Sequence, residues 1–472
     1  MINAMRKTTS QSKVVVPGAP RSYNEVVEYL DGRWSASPVQ DINAIKELDK
    51  VLDYPAKKIK LIAVAGTNGK SLTINFAATL LKQSGLKVGT FYTPRILTYN
   101  EQLAVDNESI SNKTFAEIAN EVINAVEAHN IPVSSHEILA MTALLFFKQQ
   151  AVHVALVEVR QHTHDIFTLL NPSILAITRM TDDVIPSQTK PVETIIKDLL
   201  QQIPAQCHVV SADQSKANLQ LMLEETKKRN GIWSMPIRKL ASLSYPFEQL
   251  HGRCAALAER MSEIFVENFA YKQDLIHEHS LLAKPDVQRG RPTLEAKRQA
   301  ELNPKRTIEQ FWRETNTSLS GHFQVLDKEK PTILLDSARN IDALNNLLLG
   351  IRLMNYQRPL KGLAFIFACD KKQMNAGEFL RLLRYFTKKN SAHVIFCPIS
   401  PVIPGVFEES WNVEQITNDV KSLKIKARVA QNFQEAFAMA KESVDDRHGL
   451  VVISGSQSII AQYWLEKGIK KI

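Results

Sequence analysis

The stretch Leu61-Ile-Ala-Val-Ala-Gly-Thr-Asn-Gly-Lys-Ser71 decides the fold of this chain. An apolar run ends abruptly in a loop with two glycines, and a helical spacing of apolar residues follows. A strand, a loop and a helix in this order bind phosphate in P-loop proteins, because the loop N–H groups and the helix N-terminus point towards the anion. We therefore predict a strand over Leu61–Ala65 and a helix over Lys70–Gln83.

The side chains of this loop favour a nucleotide-phosphate site. Gly66 and Gly69 lack the Cβ atoms that would hold the backbone away from a phosphate, Lys70 supplies a positive charge, and Ser71 supplies a hydroxyl suited to Mg²⁺. Val64 stands where the common Walker pattern has its first glycine. An ordinary strand–turn–helix is the alternative, and the strand and helix that flank the loop argue against it.

The overall composition is that of a globular protein with more than one domain. The chain has 472 residues, 44% of them hydrophobic and 23% charged, which predicts two or three domains. Neither a membrane-spanning stretch nor a secretory signal is readable, and the four cysteines form no Cys-x-x-Cys pair, so we expect reduced thiols in a cytoplasmic protein. The net charge of +9 favours anionic ligands such as nucleotides. No motif indicates nucleic acid or membrane partners.

Predicted strands alternate with predicted helices between residues 61 and 212. Strands with continuous apolar character between helices indicate a parallel sheet that is covered on both faces and binds ligands at the carboxyl ends of its strands. The loop at Gly66, Thr93 after the second strand and Glu158 near the end of another would all face that edge. Besides the first strand and helix, the elements are strands Val88–Tyr92, Val154–Val159, Ile174–Thr178 and His208–Ala212, and helices Lys113–His129, His136–Gln150, Val192–Gln202 and Gln214–Arg229.

The alternation resumes after Gly321 and predicts a second, smaller open sheet that could fold as its own unit. From about 275 to 310 the chain is rich in Lys and Arg, and we interpret this part as a charged insertion or linker with a helix near Leu294–Leu302. A solvated surface segment is the simplest interpretation, and binding of an acidic partner is the alternative. The later elements are strands Thr332–Leu335, Gly362–Ala368, His393–Pro398 and Leu450–Ser454, and helices Ile341–Met354, Ala376–Lys388, Phe433–Ser443 and Ser458–Lys467.

Several fragments, in a shared order and spacing, resemble one known family. The chain is similar to folylpolyglutamate synthase/dihydrofolate synthase, a branch of the Mur-ligase superfamily. The resemblance implies a P-loop central domain of Mur-ligase type with a mostly parallel sheet, and a smaller Rossmann-like α/β domain at the C-terminal end. It implies a tail over 1–20, an ATP-binding domain over 21–325 and a ligase domain over 326–472. The fragments are Ser22–Leu30, Ala65–Lys70, Tyr92–Glu101, Ala155–Val159, Leu335–Asn340 and Ser454–Ser456.

The resemblance also implies a reaction. ATP would phosphorylate a substrate carboxylate, and the amine of glutamate would displace phosphate from the acyl phosphate to form an amide. The substrates would be a folate or a pteroate with glutamate, and most family members are monomers. Phosphoryl transfer depends mainly on positioning and on neutralisation of negative charge. The implied catalytic residues are Lys70, Glu158 and Arg339.

By the same resemblance, the site would lie in a cleft that closes between the two domains. Ser71, Thr93 and Glu158 would surround Mg²⁺, and residues of the second domain would close over the nucleotide. The implied ATP-binding residues are Gly66, Thr67, Asn68, Gly69, Lys70, Ser71, Asp336, Arg339 and Asn340.

Several positions depart from the family pattern, and they cluster around the chemistry. The loop has Ser71 directly after its lysine where the family has a further glycine, and the segment Arg160-Gln-His-Thr-His164 replaces a glycine-rich turn. Asp182-Asp183-Val184 replaces Leu-Asp-His, which removes the histidine expected at a second Mg²⁺, and the lysine of that second site has no clear equivalent. Arg339 stands in place of a histidine, and His322 in place of an arginine.

Two interpretations of these departures compete. In the first, the enzyme is divergent but active: Arg339 keeps a positive charge near phosphate, and Asp183 with His162 or His164 rebuilds a metal site. In the second, the protein binds ATP with one Mg²⁺ but ligates weakly or not at all, because two metal ligands are lost. We favour the active ligase, since the nucleotide loop and the first-metal residues are retained.

The substrate side is defined less sharply. The resemblance points to Glu101, Glu137 and Asp183 as substrate residues, and a salt bridge is the alternative for each of the two glutamates. A peptidoglycan-precursor ligase of Mur type, which joins an amino acid to a nucleotide-sugar acid, is a further alternative within the superfamily.

Overall fold

A computed structural model describes residues 20–34, 42–160, 169–181, 191–236, 248–270, 275–276, 280–282, 307–315, 319–400, 402–403, 406 and 408–472. Within these residues the chain forms an eight-stranded sheet and a six-stranded sheet, each with helices packed on it. This confirms the predicted α/β class with a large, mostly parallel sheet and a second, smaller one. The exact domain boundaries stay a prediction, as does the helix near 294–302, which lies outside the described residues.

The larger sheet has the strand order β4-β3-β2-β5-β1-β6-β7-β8. The first strand is central and pairs in parallel with β5 and β6, and only β3 and β4 run antiparallel to their neighbours. All carboxyl ends of the parallel strands therefore meet at one edge, where the nucleotide loop begins. The strands are β1 Leu61–Ala65, β2 Val88–Phe91, β3 Leu103–Val105, β4 Glu108–Ser109, β5 Val154–Glu158, β6 Ile174–Ile177, β7 His208–Ser211 and β8 Ile232–Ser234.

Helices cover both faces of this sheet because alternate residues of its strands point to opposite sides. In β5, Ala155 and Val157 join one core cluster, and Val154 and Leu156 join another. The first cluster includes side chains of α1, α2, α4 and α5, and the second includes those of α3 and α8. The helices are α1 Tyr23–Gly32, α2 Ile42–Val51, α3 Lys70–Gln83, α4 Asn112–Ala128, α5 Ser135–Gln149, α6 Val192–Leu200, α7 Lys216–Lys228, α8 Glu248–Phe265 and α9 Ile308–Glu314, with 3₁₀ turns at Pro55–Lys58 and Tyr99–Gln102 and a π-helical turn at Val266–Ala270.

The smaller sheet has the order β13-β12-β11-β14-β10-β9, and all its pairings are parallel except that of β9 with β10. The carboxyl end of β10 carries Asp336, and the chain leads from there into the N-terminus of α10. The strands are β9 Gln324–Leu326, β10 Thr332–Asp336, β11 Leu363–Phe367, β12 His393–Phe396, β13 Lys426–Val429 and β14 Leu450–Ser454. The helices are α10 Ile341–Gln357, α11 Ala376–Thr387, α12 Val413–Ser422, α13 Phe433–Glu442 and α14 Gln457–Glu466.

Every strand and helix predicted within the described residues is present, with ends that move by one or two residues in most cases. The sequence reasoning missed the helices α2, α8, α9 and α12 and the strands β3, β4, β8, β9 and β13. All five missed strands are short and lie at or near the margins of the sheets. In β13 exposed and buried residues alternate, so its sequence has no continuous apolar run.

Two further observations concern the cysteines and the hydropathy of the helices. All four cysteines are buried free thiols, as expected. No helix of the described residues is long and apolar enough to cross a membrane.

Candidate active site

The nucleotide loop depends on two glycine positions. Gly66 has a φ of 135°, and a Cβ built there would lie 2.0 Å from Oγ1 of Thr178 on the neighbouring strand exit. Gly69 has a φ of 90° and precedes the first turn of α3, where a side chain would be strained. The loop can therefore turn tightly from β1 into the helix, so that the free N–H groups of the first helical turn face the cleft.

Lys70 folds back over this loop. Its ammonium donates to the carbonyl oxygens of Gly66 at 2.8 Å and Thr67 at 3.3 Å. It also lies 3.7 Å from Oε1 of Glu158. The cation is thus held next to the loop, at the place where a P-loop lysine neutralises phosphate oxygens.

Glu158 brings together the three predicted metal ligands. Its two carboxylate oxygens accept hydrogen bonds from the hydroxyls of Ser71 at 2.9 Å and Thr93 at 2.8 Å. These side chains come from the end of β5, the first turn of α3 and the exit of β2. Two hydroxyls and one carboxylate form an all-oxygen donor set of the type that Mg²⁺ takes together with waters and nucleotide phosphates.

This donor set is small. Among the described residues, no group of three or more His, Cys, Asp or Glu side chains could hold a metal ion. Asp183, His162 and His164, which the active-ligase interpretation used for a rebuilt metal site, lie outside the described residues. The described part of the chain therefore fits one divalent cation that a bound nucleotide would help to hold.

The second unit closes the opposite side of the same cavity. The cavity has a volume of about 320 Å³ and is lined by the nucleotide loop, Thr93, Glu158, Asp336, Arg339 and Asn340. Every predicted catalytic and metal-ligating residue thus lines one cleft, together with all the predicted ATP-binding residues except Gly66, which lies at the start of the loop. Their individual roles stay predictions.

A hydrogen-bonded clasp joins the two units at the nucleotide loop. The amides of Asn68 and Asn340 donate to each other's oxygens at 3.1 and 3.0 Å. Asn68 also donates to Asp342 at 2.8 Å, and Asp342 pairs with Arg179 at 2.9 Å. The loop that would hold phosphate is therefore tied directly to the N-terminus of α10. The sequence resemblance pointed to Asn68 and Asn340, but gave no sign of Arg179 or Asp342.

Two titratable groups near the cleft have shifted pKa values. Burial raises the pKa of Asp336 to about 7, although the backbone N–H groups of Phe323 and Ala338 oppose the shift. His322 lines the cavity, and burial lowers its pKa below the ordinary value of a histidine. Asp336 thus changes charge near neutral pH, while His322 is neutral there.

Arg160 was noted in the sequence only as a departure, and it lines the cavity. It follows Glu158 by two residues, both residues line the cavity, and Val159 between them is buried in a core cluster. The two-residue spacing from Glu158 is the sequence signal that could have placed Arg160 in the cleft. Gln457, at the start of α14, also lines the cavity and accepts a hydrogen bond from Arg339 at 3.3 Å.

The proposed substrate glutamates have local structural partners. The carboxylate of Glu101 accepts from the backbone N–H groups of Ile96, Leu97 and Thr98 at 2.8–3.2 Å. Glu137 is buried and accepts from the N–H of Ser134 at 2.6 Å, at the start of α5. Both carboxylates cap the turn that they begin. Glu101 also lines a second cavity of about 350 Å³ that adjoins the first. The substrate roles stay predictions.

The fold and the cleft define a class. A central parallel sheet with a P-loop-type turn, joined across a nucleotide-sized cleft to a smaller α/β unit, is the architecture of Mur-ligase-type proteins. No family model matches the chain. Individual relatives do match, and their names show which enzymes the chain is similar to.

The chain is 26% identical over 260 residues to the dihydrofolate synthase/folylpolyglutamate synthase of Bacillus subtilis. The aligned region covers 54% of this chain and 57% of that protein. It is 24% identical over 453 residues to folylpolyglutamate synthase of Lacticaseibacillus casei, and this alignment covers 92% of this chain and 96% of that protein. The fold matches Mycobacterium tuberculosis folylpolyglutamate synthase complexed with ADP at a TM-score of 0.73 and 16% identity, over 94% of this chain and 98% of that one.

The bifunctional Yersinia pestis enzyme complexed with AMPPNP and a Mn ion matches at a TM-score of 0.71 and 18% identity, over 98% and 100% of the two chains. The resemblance found in the sequence is confirmed. The chain is similar in sequence and in fold to proteins named folylpolyglutamate synthase or dihydrofolate synthase.

Proposed function

We propose that this protein is an ATP-dependent amide ligase that adds L-glutamate to a folate or to dihydropteroate through an acyl phosphate. The observation that carries the proposal is the cleft itself. One cavity is lined by a phosphate-binding loop, by the Ser71–Glu158–Thr93 oxygen cluster and, from the other unit, by Asp336, Arg339 and Asn340. The proposed setting is a cytoplasmic monomer.

Similarity to named enzymes supports the proposal. Two relatives that match in sequence are named dihydrofolate synthase/folylpolyglutamate synthase and folylpolyglutamate synthase. Two proteins with the same fold are complexes with ADP, and with AMPPNP and a Mn ion. Transfer of these properties to this chain predicts an ATP site with a divalent cation, which we propose to be Mg²⁺.

The residues of the cleft supply most of what the reaction needs. Lys70 would turn from its loop carbonyls to the terminal phosphates, and Arg339 would neutralise charge from the opposite side. Glu158, Ser71 and Thr93 would hold Mg²⁺, which lowers the charge repulsion between the phosphates and the attacking carboxylate. Closure of the two units would keep water away from the acyl phosphate until the amine attacks.

One observation favours a second candidate, a nucleotide-binding protein with weak or no ligase activity. The described residues supply a single carboxylate for metal at the phosphate site. Loss of a second metal would remove charge stabilisation worth several kcal/mol, which is about two to three orders of magnitude in rate.

The test is ATP consumption by the purified full chain with Mg²⁺. We expect ADP to form with folate or dihydropteroate plus glutamate, in a one-to-one ratio with the amide product, and little ADP to form when either substrate is omitted. A nucleotide-linked muramic acid serves as the comparison substrate. Tight ATP binding without turnover of any pair would favour the second candidate, and turnover of only the muramic acid would favour a peptidoglycan-precursor ligase.

A further inference from the structure

The phosphate end of the cleft holds more positive than negative side chains. Lys70, Arg160 and Arg339 line the cavity, and the carboxylates that line it are Glu158 and Asp336. The pKa of Asp336 is raised to about 7 by burial, so at neutral pH this carboxyl is only partly ionised. The carboxylate of Glu158 lies 3.7 Å from the ammonium of Lys70 and would bind a metal cation when a nucleotide is bound. The two arginines therefore face the cavity as an excess of positive charge.

The arginines approach the same region from opposite units. Arg160 lies on the exit of β5, two residues after the proposed metal ligand Glu158, and Arg339 lies between β10 and α10. Among the residues that the structure describes, no carboxylate forms an ion pair with either guanidinium. Arg339 donates to the neutral amide of Gln457 at 3.3 Å, and Glu408 is the described carboxylate whose charge interacts with it from a longer distance.

The surroundings of the two guanidinium groups agree with this arrangement. The guanidinium of Arg160 lies 5.7 Å from the centre of the Trp34 ring, an uncharged partner that does not neutralise it. Like charges that face each other across a cleft repel when the cleft is empty of anions. An anion between them removes this repulsion and gains charge-assisted hydrogen bonds to both forks.

We propose that Arg160 binds the terminal phosphoryl group of the nucleoside triphosphate, opposite Arg339. Arg160 then makes the site selective for triphosphate over diphosphate, and it follows the phosphoryl group as it passes to the acid. This inference adds a binding residue to the proposed function and rests on its nucleotide site.

The test compares two nucleotides in direct binding, which needs neither acid nor amine. AMPPNP and ADP are titrated calorimetrically into the full chain with Mg²⁺, for the wild type, R160Q and R160K. Because a hydrogen bond to a charged group is lost only with the triphosphate, R160Q should weaken AMPPNP by about 10- to 100-fold and ADP by less than about twofold. R160K should restore part of the selectivity, since it keeps the charge without the planar fork.

The matched control is R352Q. Arg352 lies on the far half of α10, with its guanidinium 5.4 Å from the ring centroid of Tyr385. Its substitution should leave both affinities unchanged. Equal weakening of AMPPNP and ADP by R160Q, or no change in either, would overturn the proposal. So would unchanged binding of both with a raised KM for the acid, which would place the guanidinium on that substrate.

Failure of the proposed ligase reaction would appear separately, as absence of turnover by a wild-type protein that still distinguishes the two nucleotides. If R160Q does not fold, R160K carries the test alone. Replacement of the guanidinium by an ammonium should lower the AMPPNP-to-ADP selectivity by about threefold or more, and unchanged selectivity would contradict the proposal.

Discussion

Replacement of Glu158 by Gln should weaken binding of the metal without weakening metal-free binding of the nucleotide. In the structure the carboxylate accepts from the hydroxyls of Ser71 and Thr93 at 2.9 and 2.8 Å and lies 3.7 Å from the ammonium of Lys70. The amide keeps the size of the side chain and one acceptor oxygen, but it removes the negative charge. It is the one carboxylate among the three proposed metal ligands, so its charge dominates cation binding.

The expected effects have opposite signs with and without Mg²⁺. Loss of a metal-ligating carboxylate should raise the Mg²⁺ concentration needed for AMPPNP binding by at least about 10- to 100-fold, since even the loss of groups that only orient a ligand costs that much. Without Mg²⁺, the substitution removes a negative charge that faces the triphosphate. AMPPNP binding in EDTA should therefore be retained or strengthened.

The assay is calorimetric titration of AMPPNP at a series of Mg²⁺ concentrations and in EDTA, for the wild type and E158Q. The control is E225Q, because Glu225 is also largely buried but pairs with Lys228 on α7, at 2.7 Å. An unchanged Mg²⁺ requirement in E158Q, or an equal loss of affinity in Mg²⁺ and in EDTA, would refute the assignment of this carboxylate to the metal.

Three further predictions concern the clasp, the pH response and the core. D342A removes the carboxylate that accepts from Asn68 at 2.8 Å, so it should lower the free energy of unfolding in urea by about 1–3 kcal/mol and weaken AMPPNP binding. An unchanged free energy of unfolding together with an unchanged AMPPNP affinity would contradict the clasp. Because the pKa of Asp336 is about 7 when folded and 3.8 otherwise, its ionisation should destabilise the fold progressively between these pH values, a slope in melting temperature that D336N should lack. W312F leaves buried Glu259 without the 2.6 Å indole donor and should cost about 1–3 kcal/mol in urea unfolding, whereas equal stability would show that the bond is replaced.

The elements that the sequence predicted well are those whose burial is continuous. β1, β5 and β14 are buried along their whole length and apolar except for the last residue of β5 and of β14, because helices cover both faces, and such runs can be recognised without knowledge of their partners. β13 was missed because Lys426 and Arg428 point to solvent from an edge strand, and only alternate residues are buried. The helix α8 was missed although its Ala255–Ala258 stretch packs beside α3 in a core cluster, because small side chains give a weak periodic signal.

The candidate site divides in the same way. Ser71, Thr93 and Glu158 could be brought together from the sequence, since each follows a parallel strand and such ends share one edge. Asn68, Asp342 and the position of Arg160 against the second unit depend on how two separately folded units dock. No local pattern carries that information, because the hydrogen bond of Asn68 to Asp342 joins residues that are 274 positions apart.

The most direct test of the account is nucleotide binding by K70A. Lys70 is held over the loop by the carbonyls of Gly66 and Thr67, at 2.8 and 3.3 Å, so its removal should leave the fold intact while the phosphates lose their principal cation. Calorimetric titration with AMPPNP and Mg²⁺ should show binding weakened by about 100-fold or more, with an unchanged melting temperature of the free protein. An affinity within about twofold of the wild type would mean that the triphosphate does not lie at this loop.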